Sequence, residues 1–216
     1  MPPFVGVVLA GGASTRMGRD KALVEVGGTP MIRIVAGTMS AAGASRILVA
    51  GGDTTSLSPM GLDVIPDRRR GLGPLSGILS ALEALDSDGS STGPGGEGPL
   101  MVSSPCDTPL VSAELITGLV RALVGDPGSA VAVTEGPAGL EPLLAAWRVR
   151  LCRETVARRL DSGSRSVRGV LESLATVSVA WANPKELTNV NTPEDLGALG
   201  PETGPSAGGS PRQRPH

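Results

Sequence analysis

The stretch Val5–Lys21, VGVVLAGGASTRMGRDK, joins a short apolar run to a glycine-rich polar loop. An apolar run that does not alternate with polar residues predicts a strand buried on both faces of a parallel sheet. Gly11 and Gly12 let the chain turn tightly and bring its backbone amides close to a ligand. Arg16 and Lys21 then supply two cations where the oxygens of a triphosphate would lie. The stretch therefore predicts a buried strand followed by a phosphate-binding loop.

Further strand and helix signals alternate along the chain. Pro30 can open a helix capped by Thr29, and Pro74 and Ser112 mark the starts of two more. We expect further helices at 150–160 and 167–174, and strands at 46–50, 62–65, 100–104, 129–134, 142–147 and 177–181. This alternation predicts a three-layer α/β domain with a mostly parallel sheet, in which ligands bind beyond the carboxyl ends of the strands.

The composition narrows the class of protein. With 216 residues, of which 40% are hydrophobic and 19% charged, the chain fits one globular domain. A formal net charge of −2 and only three aromatic side chains argue against a nucleic-acid partner. No run reaches the roughly 20 apolar residues of a membrane span, so no membrane partner is expected. Two cysteines and no signal-peptide pattern predict a reduced, cytoplasmic protein.

Two polar stretches suggest the domain organisation. Residues 86–99, DSDGSSTGPGGEGP, consist almost wholly of Gly, Ser, Pro and acidic residues, which predicts a flexible surface loop within one domain. Residues 201–216 are rich in Pro, Gly and Ser and predict a disordered tail. We therefore expect a single domain over residues 1–200, closed by a short helix that begins at Thr192.

The available side chains limit the chemistry. The only histidine is the terminal His216 and tyrosine is absent, so carboxylates, Lys, Arg, backbone amides and a metal ion must carry any reaction. Asp107 follows a predicted strand and lies between two prolines. Because Mg²⁺ prefers one or two carboxylates together with phosphate oxygens, we expect Asp107 to bind it, with a local turn cap as the alternative role. Asp67 could equally bind a nucleotide or close a Pro-Asp-Arg turn.

Five motifs together resemble one known family. Residues 9–21 resemble the L-A-[GA]-G-x-S-x-R-M-G-x-D-K signature of nucleoside-triphosphate transferases, and within them most resemble the molybdenum cofactor guanylyltransferases. The other motifs recur in that family in the same order: Ile65–Asp67, Gly73–Ile78, Pro105–Pro109 and Asn189–Asp195. The resemblance spans roughly residues 5–197.

The resemblance implies a three-layer α/β/α Rossmann-like nucleotidyltransferase fold. It also implies Mg²⁺-dependent transfer of GMP from GTP to the phosphate of molybdopterin, with release of pyrophosphate. The implied catalytic residues are Arg16, Lys21 and Asp107, with Asp107 as the Mg²⁺ ligand. The residues implied to bind the nucleotide are Leu9, Ala10, Gly11, Gly12, Lys21, Asp67 and Asp107. The same resemblance places Asn189 and Asn191 near the metal and the second substrate, although turn and capping chemistry before the last helix would also account for them. Arg165 and Arg168, in a Gly/Ser-flanked cationic stretch, are the other residues expected near the second substrate.

One departure from the family pattern leaves other interpretations open. Ala50 stands where the family carries an asparagine that contacts the base or ribose. A cytidylyl or sugar-1-phosphate nucleotidyltransferase therefore remains an alternative, as does an accessory protein that binds a nucleotide or cofactor without turnover. Molybdoenzyme apoproteins or chaperones are the expected protein partners of the guanylyltransferase.

Overall fold

The computed structural model describes residues 1–10, 21–67, 69, 71–88, 98–191 and 195. Gly11, Gly12 and Arg16, most of the stretch 86–99 and the tail 201–216 lie outside the described residues. The strands are β1 (Phe4–Leu9), β2 (Glu25–Val26), β3 (Thr29–Pro30), β4 (Arg46–Ala50), β5 (Asp63–Ile65), β6 (Leu100–Pro105), β7 (Val131–Gly136), β8 (Gly139–Arg148) and β9 (Thr176–Ala180). The α-helices are α1 (Met31–Ala41), α2 (Thr54–Leu57), α3 (Pro74–Ser87), α4 (Ala113–Gly125), α5 (Val149–Asp161) and α6 (Val167–Leu171).

The main sheet has seven strands in the order β5-β4-β1-β6-β8-β7-β9 within the described part of the chain. Strand β8 runs antiparallel to both of its neighbours, and the other pairs are parallel. The predicted mostly parallel sheet is therefore confirmed. This topology brings the carboxyl ends of β5, β4, β1 and β6 to one edge, where the amino end of β8 also lies.

Helices cover both faces of the sheet. Every residue of β1 is buried, and successive side chains enter opposite cores. Val7 packs in the core formed with α3, α5 and α6, while Val8 packs in the core formed with α1 and α4. Burial of one such aliphatic side chain stabilises a fold by about 1.5–3 kcal/mol, so the two cores hold the three layers together. The three-layer prediction is confirmed, and no helix among the described residues is long and apolar enough to cross a bilayer.

The start of α1 differs from the prediction. Thr29 and Pro30 form β3, which pairs with β2, and the helix begins at Met31 without a side-chain cap. Gly27 and Gly28, with φ of 58° and 80°, make the tight turn between these short strands. The predicted Thr29 cap is wrong because this residue pairs in the hairpin. The predicted Ser112 cap is confirmed, since its hydroxyl accepts a 3.2 Å hydrogen bond from Leu115 N.

The ends of two helices also differ from the prediction, and one short helix was not predicted. Helix α3 continues through Ser87, so the loop expected from residue 86 starts later. Helix α6 ends at Leu171 rather than at residue 174, because tighter turns follow, with Leu174 N donating to Leu171 O at 3.1 Å. The short helix α2 was not predicted; the carboxylate of Asp53 caps it by accepting from Thr55 N at 3.1 Å.

Candidate active site

The carboxyl ends of four parallel strands form one continuous hydrogen-bonded edge. Ala10 N donates to Ala50 O at 3.0 Å, and Cys106 N donates to Leu9 O at 3.1 Å. Gly51 N donates to the last carbonyl of β5 at 3.2 Å. The segments that follow β1, β4, β5 and β6 therefore lie side by side, as ligand binding at such an edge requires.

Lys21 follows the glycine-rich stretch in the sequence and precedes the hairpin of β2 and β3. It opens a short 3₁₀ turn over Lys21–Leu23, and Val24 N donates to Lys21 O at 3.2 Å. Ala22 in this turn is fully buried in the core beneath α1. The backbone of Lys21 is thus held against the core while its side chain points to the sheet edge.

Buried hydroxyl groups hold the loop that carries Asp107. Thr108 Oγ1 donates to Pro105 O at 3.0 Å and lies 3.2 Å from Ser104 Oγ. Both hydroxyl-bearing residues are buried, and buried polar groups keep such partners in nearly all proteins. Asp107 therefore leaves the strand at a fixed position, with its side chain at the surface of the edge.

The C-terminal segment crosses the sheet edge beside this loop. Val190 N donates to Asp107 O at 2.8 Å, and the Val190 side chain is fully buried with Val26 and Met31. The backbone N–H of the next residue, Asn191, donates a 2.7 Å hydrogen bond to a carboxylate oxygen of Asp195. A backbone bond and a buried side chain thus bring Asn191 to Asp107.

Three predicted site residues meet at this point. Lys21 Nζ donates to Asp107 Oδ2 and to Asn191 Oδ1, across 86 and 170 residues of chain. The side chains of Lys21 and Asp107 are only 17% and 19% exposed. Solvent screens a pair at this depth less than it screens a surface ion pair. The cluster Lys21–Asp107–Asn191 is the centre of the candidate site.

The donor set of this cluster fits a hard divalent cation. Asp107 Oδ2 and Asn191 Oδ1 are both oxygen ligands, and they already converge on one cationic group. Mg²⁺ takes such oxygens and completes its octahedral shell with phosphate oxygens and water. The residues present can therefore hold Mg²⁺ together with a nucleotide.

Asp67 lies at the same edge, after β5, and closes a turn. Its Oδ1 accepts a 2.9 Å hydrogen bond from Arg69 N and a second bond from the hydroxyl of Ser76. The oxygen of that hydroxyl also lies 3.1 Å from Arg69 O. Ser76 is buried in the first turn of α3. Within the described residues no hydrogen bond or ion pair joins Asp67 to the cluster. Ser76 lies in the motif Gly73–Ile78, but that motif did not indicate its bond to Asp67.

The expected cationic residues of the second substrate site are exposed. Arg165 lies just before the Ser166 cap of α6, and Arg168 lies on that helix. Burial raises the pKa of the Glu141 carboxyl, and the charge of Arg168 opposes that rise, so this arginine is near the amino end of β8. Glu141 was not singled out in the sequence, since only the antiparallel course of β8 brings it to the carboxyl edge. The structure does not join these arginines to the Lys21 cluster through any described contact.

Asn189, the other predicted asparagine, does not enter the cluster with its side chain. Its side chain is exposed, and its carbonyl is 3.5 Å from Asn191 Nδ2. The structure therefore separates the two asparagines. Asn191 belongs to the centre of the site and Asn189 to its rim.

Ala50, the departure from the family pattern, is buried against α3. A Cβ placed on Gly77 would lie 3.7 Å from the Ala50 Cβ, so the first turn of α3 packs closely on this strand end. The carboxylate of Asp53, three residues on, caps α2 and also accepts from Ser56 Oγ at 2.6 Å. These hydrogen bonds lower the pKa of Asp53, and the bond from Ser56 has the largest effect. The Asp53 carboxylate is therefore engaged in a helix cap.

A doubly wound sheet with a glycine-rich stretch after its first strand, and a lysine–aspartate pair at its carboxyl edge, is the arrangement of an α/β protein that binds a phosphate-bearing ligand at that edge. Residues 6–177 match the MobA-like NTP transferase domain family, and the chain belongs to this family. Enzymes of this family generally use a divalent metal ion.

Individual relatives agree with this assignment. The chain is 31% identical to the molybdenum cofactor guanylyltransferase of Cereibacter sphaeroides over 88% of this chain and 92% of that one. It is 34% identical to the molybdenum cofactor guanylyltransferase of Rhizobium meliloti over 90% and 88% of the two chains. Its fold is similar to that of the molybdopterin-guanine dinucleotide biosynthesis protein A of Archaeoglobus fulgidus, with a TM-score of 0.70 and 22% identity over 90% and 96% of the chains.

Proposed function

We propose that this chain transfers GMP from GTP to the terminal phosphate of molybdopterin and releases pyrophosphate. The observation that supports this function most directly is the cluster Lys21–Asp107–Asn191, in which a cation and two oxygen ligands meet at the carboxyl edge of the sheet. The names of the relatives supply the two substrates, since both curated relatives are molybdenum cofactor guanylyltransferases.

The proposed reaction is one displacement at phosphorus. A phosphate oxygen of molybdopterin attacks the α-phosphorus of GTP, and the bond from that phosphorus to the bridging oxygen of the β-phosphate breaks. The attacking oxygen is already anionic, so no side chain has to remove a proton. Positioning and charge neutralisation then supply the catalysis.

The described residues divide this work by their chemistry. Asp107 and Asn191 would hold Mg²⁺, and the ion would supply positive charge to the phosphate oxygens. Lys21 binds the oxygens of the β- and γ-phosphates as a point charge. We assign Arg16 and the amides of Gly11 and Gly12 to the same phosphates.

The backbone at the end of β1 limits how the nucleoside is bound. The amide of Ala10 donates within the sheet, and we assign its carbonyl to the ligand. Leu9 already accepts from Cys106 N, and a carbonyl has a second lone pair for a further bond. Asp67 binds Arg69 N and the Ser76 hydroxyl through Oδ1, and we assign its Oδ2 to the nucleoside.

The second substrate lies on the α6 side of the cluster in this proposal. Arg165 and Arg168 attract its phosphate, and Asn189 and Asn191 form the boundary with the nucleotide. The dinucleotide product passes to molybdoenzyme apoproteins or their chaperones. Both cysteines are free thiols, which suits the reducing cytoplasm where we place the protein.

The test combines ligand binding with turnover. Thermal unfolding is followed with GTP, CTP, ATP and UTP, each with and without Mg²⁺, and pyrophosphate release is then assayed with molybdopterin. GTP at about 100 times its Kd stabilises the fold by about 2.7 kcal/mol, which shifts the Tm measurably. Of the four nucleotides, we expect only GTP to shift the Tm. We expect pyrophosphate release only when molybdopterin is added.

The other outcomes separate the alternative functions. A shift with CTP or UTP in place of GTP would replace the guanylyl assignment by a cytidylyl or sugar-1-phosphate transferase. Binding of GTP without pyrophosphate release would favour an accessory protein. Ala50 makes the choice of base the sharpest part of this test, because the family asparagine is missing there.

A further inference from the structure

The ammonium group of Lys21 lies where a metal ion on Asp107 would have to bind. Its Nζ contacts Asp107 Oδ2 and Asn191 Oδ1 at the same time. These oxygens are also the ones that fit a divalent cation. One position is thus shared by a cation of the protein and by the metal that the reaction uses.

The backbones that carry the two oxygens are anchored, and both side chains are short, whereas the lysine has the longer and more movable side chain. The loop of Asp107 is held by the Thr108 hydroxyl and by the 2.8 Å bond from Val190 N. The backbone of Asn191 is held by the hydrogen bond from its N–H to the carboxylate of Asp195. Lys21 reaches them on a flexible four-carbon side chain that can swing to another anion without any change in the backbone.

The charges make metal binding depend on a second ligand. A divalent ion arriving alone meets a carboxylate that is already neutralised, and it must push a positive ammonium group away from a partly buried position. A triphosphate removes this obstacle, because its oxygens bind the ammonium and leave Asp107 Oδ2 free. The metal and the phosphates then neutralise each other in the same step.

We infer that Lys21 occupies the metal position on Asp107 until a triphosphate draws its ammonium group away, so that the divalent cation binds only together with the nucleotide. The inference rests on the proposed function for the identity of that nucleotide as GTP. Lys21 thus determines which form of the metal the protein binds. The free protein excludes the bare metal ion, and it binds the metal together with the nucleotide. By linkage the metal and the nucleotide strengthen each other's binding by the same factor.

The test measures metal binding directly, with Mn²⁺ as a paramagnetic probe in place of Mg²⁺. Mn²⁺ binding to the full chain is titrated by electron paramagnetic resonance without nucleotide, for the wild type and for Lys21→Met and Lys21→Arg. The Lys185→Met protein is the matched control, because Lys185 is the other lysine of the chain and is exposed. Removal of the competing charge should tighten Mn²⁺ binding in Lys21→Met by about tenfold or more. Lys21→Arg and Lys185→Met should bind Mn²⁺ as weakly as the wild type.

Two further measurements test whether the gained Mn²⁺ site is the Asp107 carboxylate and whether GTP promotes Mn²⁺ binding in the wild type. Addition of Asp107→Asn to Lys21→Met should abolish the gain in Mn²⁺ affinity, since the gained site is that carboxylate. In the wild type, GTP should tighten Mn²⁺ binding by about tenfold or more beyond the affinity of Mn²⁺ for GTP itself. The Tm of each variant shows that it is folded, and the wild-type titration stands even if a variant is not.

Either of two results would overturn the inference. One is a Lys21→Met protein that binds Mn²⁺ no more tightly than the wild type without nucleotide. The other is a wild type that binds Mn²⁺ equally well with and without GTP bound. Failure of GTP to bind at all would instead contradict the proposed function, while the comparison of variants without nucleotide would still test the role of Lys21.

Discussion

The backbone amide of Val190 donates a 2.8 Å hydrogen bond to the carbonyl oxygen of Asp107. This bond joins the C-terminal segment to the loop after β6, although 83 residues separate the two positions (190 minus 107). The geometry of the site therefore depends on a main-chain contact, and the side chains of Asp107 and Asn191 are positioned by the segments that carry them. The fully buried Val190 side chain anchors the segment that carries Asn191 in the core.

Truncation of Val190 should weaken both the fold and the site. Val190→Ala removes two methyl groups from a fully buried position and should destabilise the protein by about 2 kcal/mol. For a chain of this size that corresponds to a fall in Tm of about 4–8 °C. Val124→Ala is the matched control, since Val124 is exposed on α4 and should cost less than about 0.5 kcal/mol. Equal Tm values for the two variants would show that the segment is not anchored by Val190.

Neutralisation of Asp107 should remove activity and leave the fold intact. Asp107→Asn keeps the shape of the side chain but loses the charge that holds Lys21 or a metal ion, so kcat/KM for guanylyl transfer should fall at least about 100-fold. Asn can still accept a hydrogen bond from Lys21, and the two side chains keep 17% and 19% of their exposure, so the Tm should fall by no more than about 4 °C.

A control for that substitution lies at the other edge of the sheet. Asp63 begins β5 and forms an exposed ion pair with Arg46. Asp63→Asn should leave guanylyl transfer unchanged. Near-normal turnover by Asp107→Asn would remove this residue from the metal site.

Ser76 should act on the nucleotide through Asp67. Ser76→Ala deletes the hydroxyl that binds Asp67 Oδ1 and should raise the KM for GTP by about three- to tenfold, with little change in kcat. Ser80→Ala is the control, because Ser80 lies one turn later on the same helix and is also buried. If both variants lose only Tm and keep their KM, Ser76 stabilises the turn without positioning Asp67 for the ligand.

The fold was predictable from the sequence where an element is buried on all sides and shows it as a continuous apolar run. The run at Val5–Leu9 lacks alternation because β1 is covered on both faces, and that pattern alone placed the central strand. The hairpin of β2 and β3 escaped prediction because each strand has only two residues, too few for any periodicity. Thr29 was misassigned for the same reason, since a Thr-Pro pair can begin a helix as well as end a strand.

The site was predictable only in part. Lys21 and Asp107 follow strands that end at the same edge, so their proximity could be expected from topology. The contact between Lys21 and Asn191 depends on how a segment 170 residues away returns to the sheet, which no local pattern encodes. The roles of Ser76 and Glu141 likewise depend on the packing of α3 and on the antiparallel course of β8.

A last prediction concerns the response of the fold to alkaline pH. Burial raises the pKa of the Cys152 thiol from its ordinary 9.0 to about 12, and a hydrogen bond with the Arg148 backbone and the charge of Arg148 only partly offset this. The thiol donates to Ala130 O at 3.3 Å and stays protonated in the folded state. The unfolded chain releases this proton from pH 9 upward, so the unfolded state binds fewer protons than the native state between about pH 9 and 12.

The sign of the effect follows from that difference. Stability is fully retained below pH 9 and falls as the pH rises toward 12, with a slope that approaches about 1.4 kcal/mol per pH unit. The chain has no tyrosine and only two lysines, so few other groups titrate in this range. Urea unfolding at several pH values should show the slope in the wild type and a flatter dependence in Cys152→Ala. Val156→Ala, which loses buried packing on the same helix but keeps the thiol, should retain the wild-type slope; identical slopes in all three proteins would show that Cys152 does not set the alkaline limit.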